Sequence, residues 1–162
     1  MRYLMKEKIL AIGDDYVIQD ENGRDAFHVD GKVLTVRDAL VLEDTAGNKL
    51  ARIHKKLVSL RSTYEIHREG APEITISKAL FSPLRAKFNV SSGGDGLEAQ
   101  GNLLDHEYSF TRNGRVVATV SKKWFTVRDT YGVDIQEGED AVLVLACAVA
   151  IDRMCHDQDD DR

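Results

Sequence analysis

Three stretches of the sequence carry basic residues with no acidic residue among them, a pattern that favours the binding of phosphate groups. These stretches are residues 45–62, 74–94 and 112–128. The candidate anion-binding or lipid-binding residues are two lysine pairs and two further cations: Lys55, Lys56, Lys122, Lys123, Arg85 and Lys87. If the fold places equivalent turns on one side, these side chains form a basic face that attracts the phosphates of lipids or nucleic acids. The alternative is that the lysines only decorate the outer faces and edges of strands.

No group of residues has the spacing of a catalytic or metal-binding motif, so we expect no enzyme activity, no metal and no cofactor. None of the five histidines lies at metal-ligand spacing from a cysteine or from another histidine. His106 lies between Asp105 and Glu107, but alternation along a strand would separate their side chains, which indicates a turn or surface histidine. Cys147 lies within an apolar run, where a thiol is inert.

The charge of the chain is unevenly distributed, which restricts where an anionic partner could bind. The 162 residues carry a net charge of −5, and they are 43% apolar and 30% charged, as in one soluble globular domain. Residues 45–133 carry a net charge of +6, whereas residues 1–44 carry −4 and residues 134–162 carry −7. A nucleic acid or an anionic membrane would therefore have to contact a local basic patch.

Short β-branched and aromatic segments separated by turn residues predict that most of the chain forms strands of a sandwich or barrel. Residues 47–66 and 114–133 also form an internal repeat, in which seven of twenty positions are identical. The identities include both lysine pairs, which interrupt the strand alternation and so mark bulges or turns. Because only two copies are present, the repeat indicates two similar β halves rather than a solenoid.

Residues 141–151 form an uncharged, apolar run that predicts a helix buried on all sides. Glu139 and Asp140 precede the run, and acidic residues are favourable at a helix N-terminus. The run is too short to span a bilayer, which needs about 20 apolar residues. A helix that is apolar all round must then be enclosed by its own protein, and the preceding strands can close into a barrel around it. A strand over residues 141–147, buried on both faces, is the alternative.

The cysteines and the chain ends bear on the compartment. Cys147 and Cys155 would lie about 12 Å apart on one helix, too far for a disulfide. Free cysteines, and an N-terminal region without a signal-peptide core, predict a cytoplasmic protein, peripheral at the membrane if it binds lipid. We expect a single domain over residues 1–155 and a disordered acidic tail over residues 156–162.

Several segments together resemble the LURP-one-related family. They are LLDHEYSF at 103–110, VATVSKKWF at 117–125, DTYGVDI at 129–135 and the apolar C-terminal segment at 138–152, with MKEKILAIGDDYVIQDENG at 5–23. The resemblance covers about residues 4–155, and it implies a twelve-stranded antiparallel barrel wrapped around a hydrophobic C-terminal helix. The family is related in fold to the Tubby C-terminal domain and, distantly, to phospholipid scramblases.

The resemblance also suggests a class of ligand, although it brings no catalytic residue. Tubby domains bind phosphoinositide headgroups through two basic residues that lie two apart on a strand. The nearest such pattern here is Arg85-Ala86-Lys87. Scramblase-like calcium ligands and palmitoylated cysteine clusters have no counterpart in this sequence.

We therefore predict a mainly β protein: a closed antiparallel barrel of about twelve strands, in two similar halves, around a buried hydrophobic C-terminal helix. Its predicted function is a non-enzymatic binding module that recognises an anionic ligand, such as a phospholipid headgroup, through a basic barrel face. The alternative is a regulatory module that contacts a protein or, as a weaker case, a nucleic acid.

We expect a monomer, because a closed barrel has no open edge. Trp124 is expected in the core, with a membrane-facing tip as the alternative.

Overall fold

The computed structural model describes eight ranges of the chain: residues 1–7, 16–31, 39–58, 62–78, 86–91, 96–102, 105–123 and 130–160. Twelve strands and one helix lie within these ranges. The strands are β1 Arg2–Glu7, β2 Tyr16–Gln19, β3 Asp25–Asp30, β4 Ala39–Asp44, β5 Lys49–Lys55, β6 Thr63–His67, β7 Ile74–Lys78, β8 Ala86–Ser91, β9 Leu97–Asn102, β10 Glu107–Arg112, β11 Arg115–Ser121 and β12 Thr130–Ile135. The helix is α1 Ala141–Asp160.

All twelve strands belong to one antiparallel sheet in which each strand pairs with its neighbours in sequence. Strand β1 also pairs with β12, from Arg2 opposite Asp134 to Lys6 opposite Thr130, so the order of pairing returns to the first strand. The N-terminal amine of Met1 strengthens this junction by donating to the Ile135 carbonyl at 2.7 Å. The prediction of a mainly β fold with antiparallel strands and a C-terminal helix is confirmed.

The internal repeat corresponds to matching places in the sheet. Its first copy contains β5 and β6, and its second copy contains β11 and β12, six strands further round. Tyr64 and Tyr131 are 1% and 2% exposed, and their repeat-related neighbours Ile66 and Val133 are fully buried. The repeated residues therefore keep the same inward-facing positions in both copies.

The inward-facing residues of the strands pack against helix α1. Residues 143–152 are all buried, on every face of the helix, and the apolar ones belong to a single hydrophobic cluster with the strands. A helix without a polar face is stable in water only when it is covered all round. The helical prediction for residues 141–151 is thus confirmed, and the alternative of a strand over 141–147 is wrong.

The helix is longer than the apolar run that predicted it. Its backbone continues through Asp160, so residues 156–160, which we expected in a disordered tail, continue the helix. Once a helix is nucleated, each further residue adds a hydrogen bond at little cost, and the buried turns supply that nucleus. Residues 161 and 162 lie outside the described residues.

The two ends of the sheet are distinguished by the helix. We call the end where α1 begins the lower end; odd-numbered strands start there. Asp140 caps the helix at this end, where its Oδ1 accepts a hydrogen bond from the Leu143 amide at 3.1 Å and its Oδ2 lies 2.5 Å from Arg68 Nη1. Glu139 pairs with Arg112 at the same end. At the opposite, upper end, the helix reaches the starts of β2 and β10 through Asp152.

A charge placed in the middle of α1 tests whether the helix is enclosed. Ala148 is fully buried, so Ala148→Asp would bury a carboxylate without a partner. We expect this to remove most or all of a stability of about 5–15 kcal/mol, and hence loss of the native circular dichroism spectrum and of soluble protein. Ala46→Asp, at an exposed turn position, is the matched control and should fold. A soluble Ala148→Asp protein with an unchanged melting temperature would contradict the placement of the helix.

The cap at Asp140 predicts a pH-dependent contribution to stability. Burial raises the pKa of this carboxyl, but hydrogen bonds from Arg68 and the Leu143 amide outweigh burial, so the pKa lies below its usual 3.8. A lowered pKa stabilises the fold above the unfolded-state pKa, and this stabilisation is lost as the pH falls through the folded-state pKa. Asp140→Ala should cost about 1 kcal/mol at neutral pH. Asp140→Asn keeps a capping side chain, so its smaller deficit should vanish in thermal melts as the pH falls through the lowered folded-state pKa.

Candidate functional site

The two lysine pairs lie at the same end of the sheet. Lys55 is the last residue of β5, and Lys122 and Lys123 directly follow the last residue of β11. Both strands are odd-numbered, so both pairs are at the upper end, six strands apart in the order of pairing. We call Lys55, Lys56, Lys122 and Lys123 the lysine rim. The rim residues thus share one end but lie on opposite sides of it.

Of the two other predicted cations, Arg85 and Lys87, the structure describes only the backbone of Lys87. Lys87 is the second residue of β8, where it pairs with Gln100 of β9. Even-numbered strands start at the upper end, so the backbone of Lys87 is near the same end as the lysine rim. Arg85 lies outside the described residues.

Acidic side chains contact both lysine pairs, at the backbone of the second pair and at a side chain of the first. The Glu107 carboxylate accepts hydrogen bonds from the Ser121 hydroxyl at 2.8 and 2.9 Å and from the amides of Lys122 and Lys123 at 2.9 and 3.2 Å. On the other side, Lys56 Nζ lies 3.7 Å from the Glu65 carboxylate, and half of the Lys56 side chain is exposed. Lys123 is also exposed. Glu107 therefore fixes the backbone at Lys122 and Lys123, whereas Glu65 pairs with the Lys56 ammonium group, and Lys56 and Lys123 are the exposed members of the rim.

Two large apolar side chains follow the first lysine pair directly and face solvent. Leu57 is 55% exposed and Val58 is 88% exposed. The exposed apolar pair was not predicted from the sequence. The repeat did contain a signal for it: in both copies, Lys-Lys is followed by two large apolar residues. In the second copy these positions are Trp124 and Phe125. Both lie outside the described residues, so the prediction that Trp124 is in the core concerns a residue that the structure does not describe.

A buried polar cluster joins α1 to the strands below the lysine rim. Asp152 is 3% exposed, and its two carboxylate oxygens contact the Tyr16 hydroxyl and His106 Nε2. The His106 ring also packs on Tyr131, with ring centroids 4.5 Å apart. His106 has a φ of 53°, the left-handed conformation of a turn, so the predicted turn is confirmed, but its side chain points inward and is only 12% exposed.

Two further titratable side chains, Tyr108 and Cys147, are buried in the interior beside this cluster. The Tyr108 hydroxyl is buried without a hydrogen-bond partner among the described residues. Burial, with the nearby Asp152 carboxylate, raises the pKa of Tyr108 well above its usual value. Burial likewise raises the pKa of the Cys147 thiol to about 12, so it stays protonated at neutral pH. Cys147 and Cys155 are not joined by a disulfide, as predicted.

The described residues define an antiparallel β protein with a buried C-terminal helix and a basic end. The family model of the LURP-one-related proteins matches residues 1–152. The chain therefore belongs to the LURP-one-related family, in agreement with the resemblance of its sequence motifs.

Two individual proteins illustrate this relationship. The chain is 32% identical over 158 residues to "Uncharacterized protein YxjI" of Bacillus subtilis (strain 168), an alignment that covers 97% of this chain and 95% of YxjI. The fold is similar to the X-ray structure of an Arabidopsis thaliana protein, with a TM-score of 0.65 and 16% sequence identity over 94% of this chain and 91% of that one. At that identity the plant structure supports the fold alone. No helix within the described ranges is long and apolar enough to cross a membrane.

Two buried tyrosines provide a matched test of the polar cluster. Tyr16→Phe removes a hydrogen bond to buried Asp152 and should lower the free energy of unfolding by about 1–3 kcal/mol. Tyr108→Phe removes a buried hydroxyl without a described partner and should leave stability unchanged or raise it. Urea denaturation of both variants measures the difference. Equal costs for the two substitutions would show that the Tyr16–Asp152 contact does not stabilise the fold.

Proposed function

We propose that the protein is a non-enzymatic binding module whose upper end docks on an anionic phospholipid surface. The proposal includes a closed barrel of two similar halves around α1, which would hold the lysine rim on a rigid frame. The observation that carries it is the exposure of Leu57 and Val58 directly beside Lys55 and Lys56.

The combination of exposed apolar and cationic side chains fits a bilayer better than an aqueous anion. The electrostatic attraction of an anionic membrane for a nearby lysine is worth about 1 kcal/mol. The transfer of Leu57 and Val58 out of water lowers the free energy of binding only if the partner has an apolar interior that they can enter. Nucleic acid offers phosphates but little apolar surface at its backbone. The exposed pair therefore supports a lipid surface over the alternative of a nucleic acid.

The spacing of the rim also favours a surface over a single headgroup. A pocket for one phosphate needs cations that converge on one point. The two lysine pairs lie six strands apart at the same end, so they cannot converge on one phosphate. They can contact several headgroups of one flat surface at the same time, and each contact adds to the attraction.

Vesicle co-sedimentation tests this function. Wild-type protein should bind vesicles of phosphatidylcholine that contain phosphatidylserine, bind pure phosphatidylcholine weakly, and dissociate as the salt concentration rises. A variant with all four rim lysines changed to Glu should bind at least about tenfold more weakly. Leu57→Ser with Val58→Ser should also weaken binding at unchanged melting temperature, because both side chains are already exposed.

The chain offers matched controls at the lower end. Val116 is an exposed apolar residue, 50% exposed, and Arg115 is an exposed cation beside it. Val116→Ser and Arg115→Gln should leave vesicle binding unchanged. Binding that survives both rim variants would overturn the proposal, and so would salt-sensitive binding to duplex DNA with no binding to vesicles.

A further inference from the structure

We infer that a groove on the outer wall of the sheet binds a small phosphate monoester that carries a short apolar group. The groove encloses about 370 Å³, and its lining includes Val41 of β4, the β5 residues Lys49, Leu50 and Arg52, and two residues at the end of β6, His67 and Glu69. We call it the wall groove. It lies towards the lower end of β5, away from the lysine rim, and none of the predicted site residues lines it.

Strand register brings the central side chains of the wall groove together. Arg52 pairs with Val41 on one side and with His67 on the other, so the three residues form one row across β4, β5 and β6. Directly opposed residues on one face have Cβ atoms about 5 Å apart. Ala51 and Ile53 are buried, so Arg52, which alternates with them, faces outward, and Leu50 shares its side of β5.

Neither Arg52 nor Lys49 forms an ion pair with a residue in the described part of the chain. Both are exposed, and neither has a carboxylate within 4 Å among the described residues. By contrast, Arg68, Arg112 and Lys56 all lie in ion pairs. A free guanidinium, ammonium and imidazole on one face supply enough donors for the oxygens of a phosphate monoester, which carries a charge of about −1.5 to −2.

The other lining residues define the rest of the ligand. Val41 and Leu50 present apolar side chains beside the cations, so a short hydrocarbon group can leave water when the phosphate is bound. Glu69 follows the end of β6 and repels an anion at that end of the groove. The phosphate is therefore placed at Arg52 and Lys49, and Glu69 is suited to accept a hydrogen bond from a hydroxyl or ammonium group of the ligand.

The internal repeat shows that folding does not require these cations. The corresponding row in the second copy consists of Ser109, Thr119 and Asp134, which pair in the same way across β10, β11 and β12. The same positions thus hold Val41, Arg52 and His67 in one half and no free cation in the other, within one sheet. A feature that only one half carries fits a ligand site better than a requirement of the fold.

NMR titration tests the wall groove with defined probes: inorganic phosphate, hexyl phosphate and hexanol. Hexyl phosphate should shift the backbone amides of residues 49–52 and 67–69, bind at least several-fold more tightly than inorganic phosphate, and outcompete hexanol. The variant Arg52→Thr with His67→Asp copies the Thr119 and Asp134 positions of the second half, so it should fold normally and bind hexyl phosphate at least about tenfold more weakly. Arg52→Gln alone provides a milder second variant, and Arg115→Gln is the control that should bind as the wild type does.

Vesicles that contain phosphatidic acid separate a soluble ligand from a lipid headgroup. The wall groove lies on the side of the sheet, so the double groove variant should bind these vesicles as the wild type does. If the variant loses vesicle binding and wild-type protein does not bind hexyl phosphate, the groove serves a lipid and the inference is wrong. An absence of shifts at residues 49–52 with every soluble probe would also overturn it. The rim variants report on the proposed function separately, since they leave the wall groove intact.

Discussion

The need to cover an apolar helix on every side determines the rest of this structure. Residues 143–151 of α1 are apolar on every face, and they are too few to cross a bilayer. Strands that covered only one side would leave half of the helix exposed to water, and apolar side chains from strands along the whole sheet belong to one cluster with it. The pairing of β1 with β12 brings the first and last strands side by side.

Polar contacts at the two ends of the helix position it along the sheet. At the lower end, Asp140 and Glu139 bind arginines that follow or end even-numbered strands, Arg68 and Arg112. At the upper end, Asp152 binds Tyr16 of β2 and His106, which directly precedes β10. Apolar packing alone would allow the helix to slide, because hydrophobic contacts have no direction. Hydrogen bonds to these carboxylates are directional and leave one favourable position.

The sequence was sufficient to predict a mainly β fold with a C-terminal helix because the signals for these elements are local. Alternation over five or six residues predicts a strand, and the unbroken apolar run from Ala141 to Ile151 predicts a buried helix. Repeat-related residues such as Tyr64 and Tyr131 already indicated equivalent positions. The helical continuation over residues 156–160 was missed because the acidic composition there resembles a disordered tail, and composition does not record that a helix has already been nucleated.

The functional features were less predictable because they depend on contacts between distant residues. Asp152 meets Tyr16 across 136 positions in sequence, and no local pattern encodes that contact. The wall groove depends on the register that places Arg52 beside His67. The two lysine pairs were identified from their type alone, but their position on opposite sides of one end follows only from the number of strands between them.

The position of the helix in the chain has a consequence for biosynthesis. The segment that completes the core comes after all twelve described strands, so a nascent chain that still lacks it has nothing apolar to enclose. Its strands would expose the inward-facing residues and unpaired edges that promote aggregation. Cooperative folding must therefore wait until translation has passed residue 152, and a premature stop shortly before that point should be far more harmful than one shortly after it.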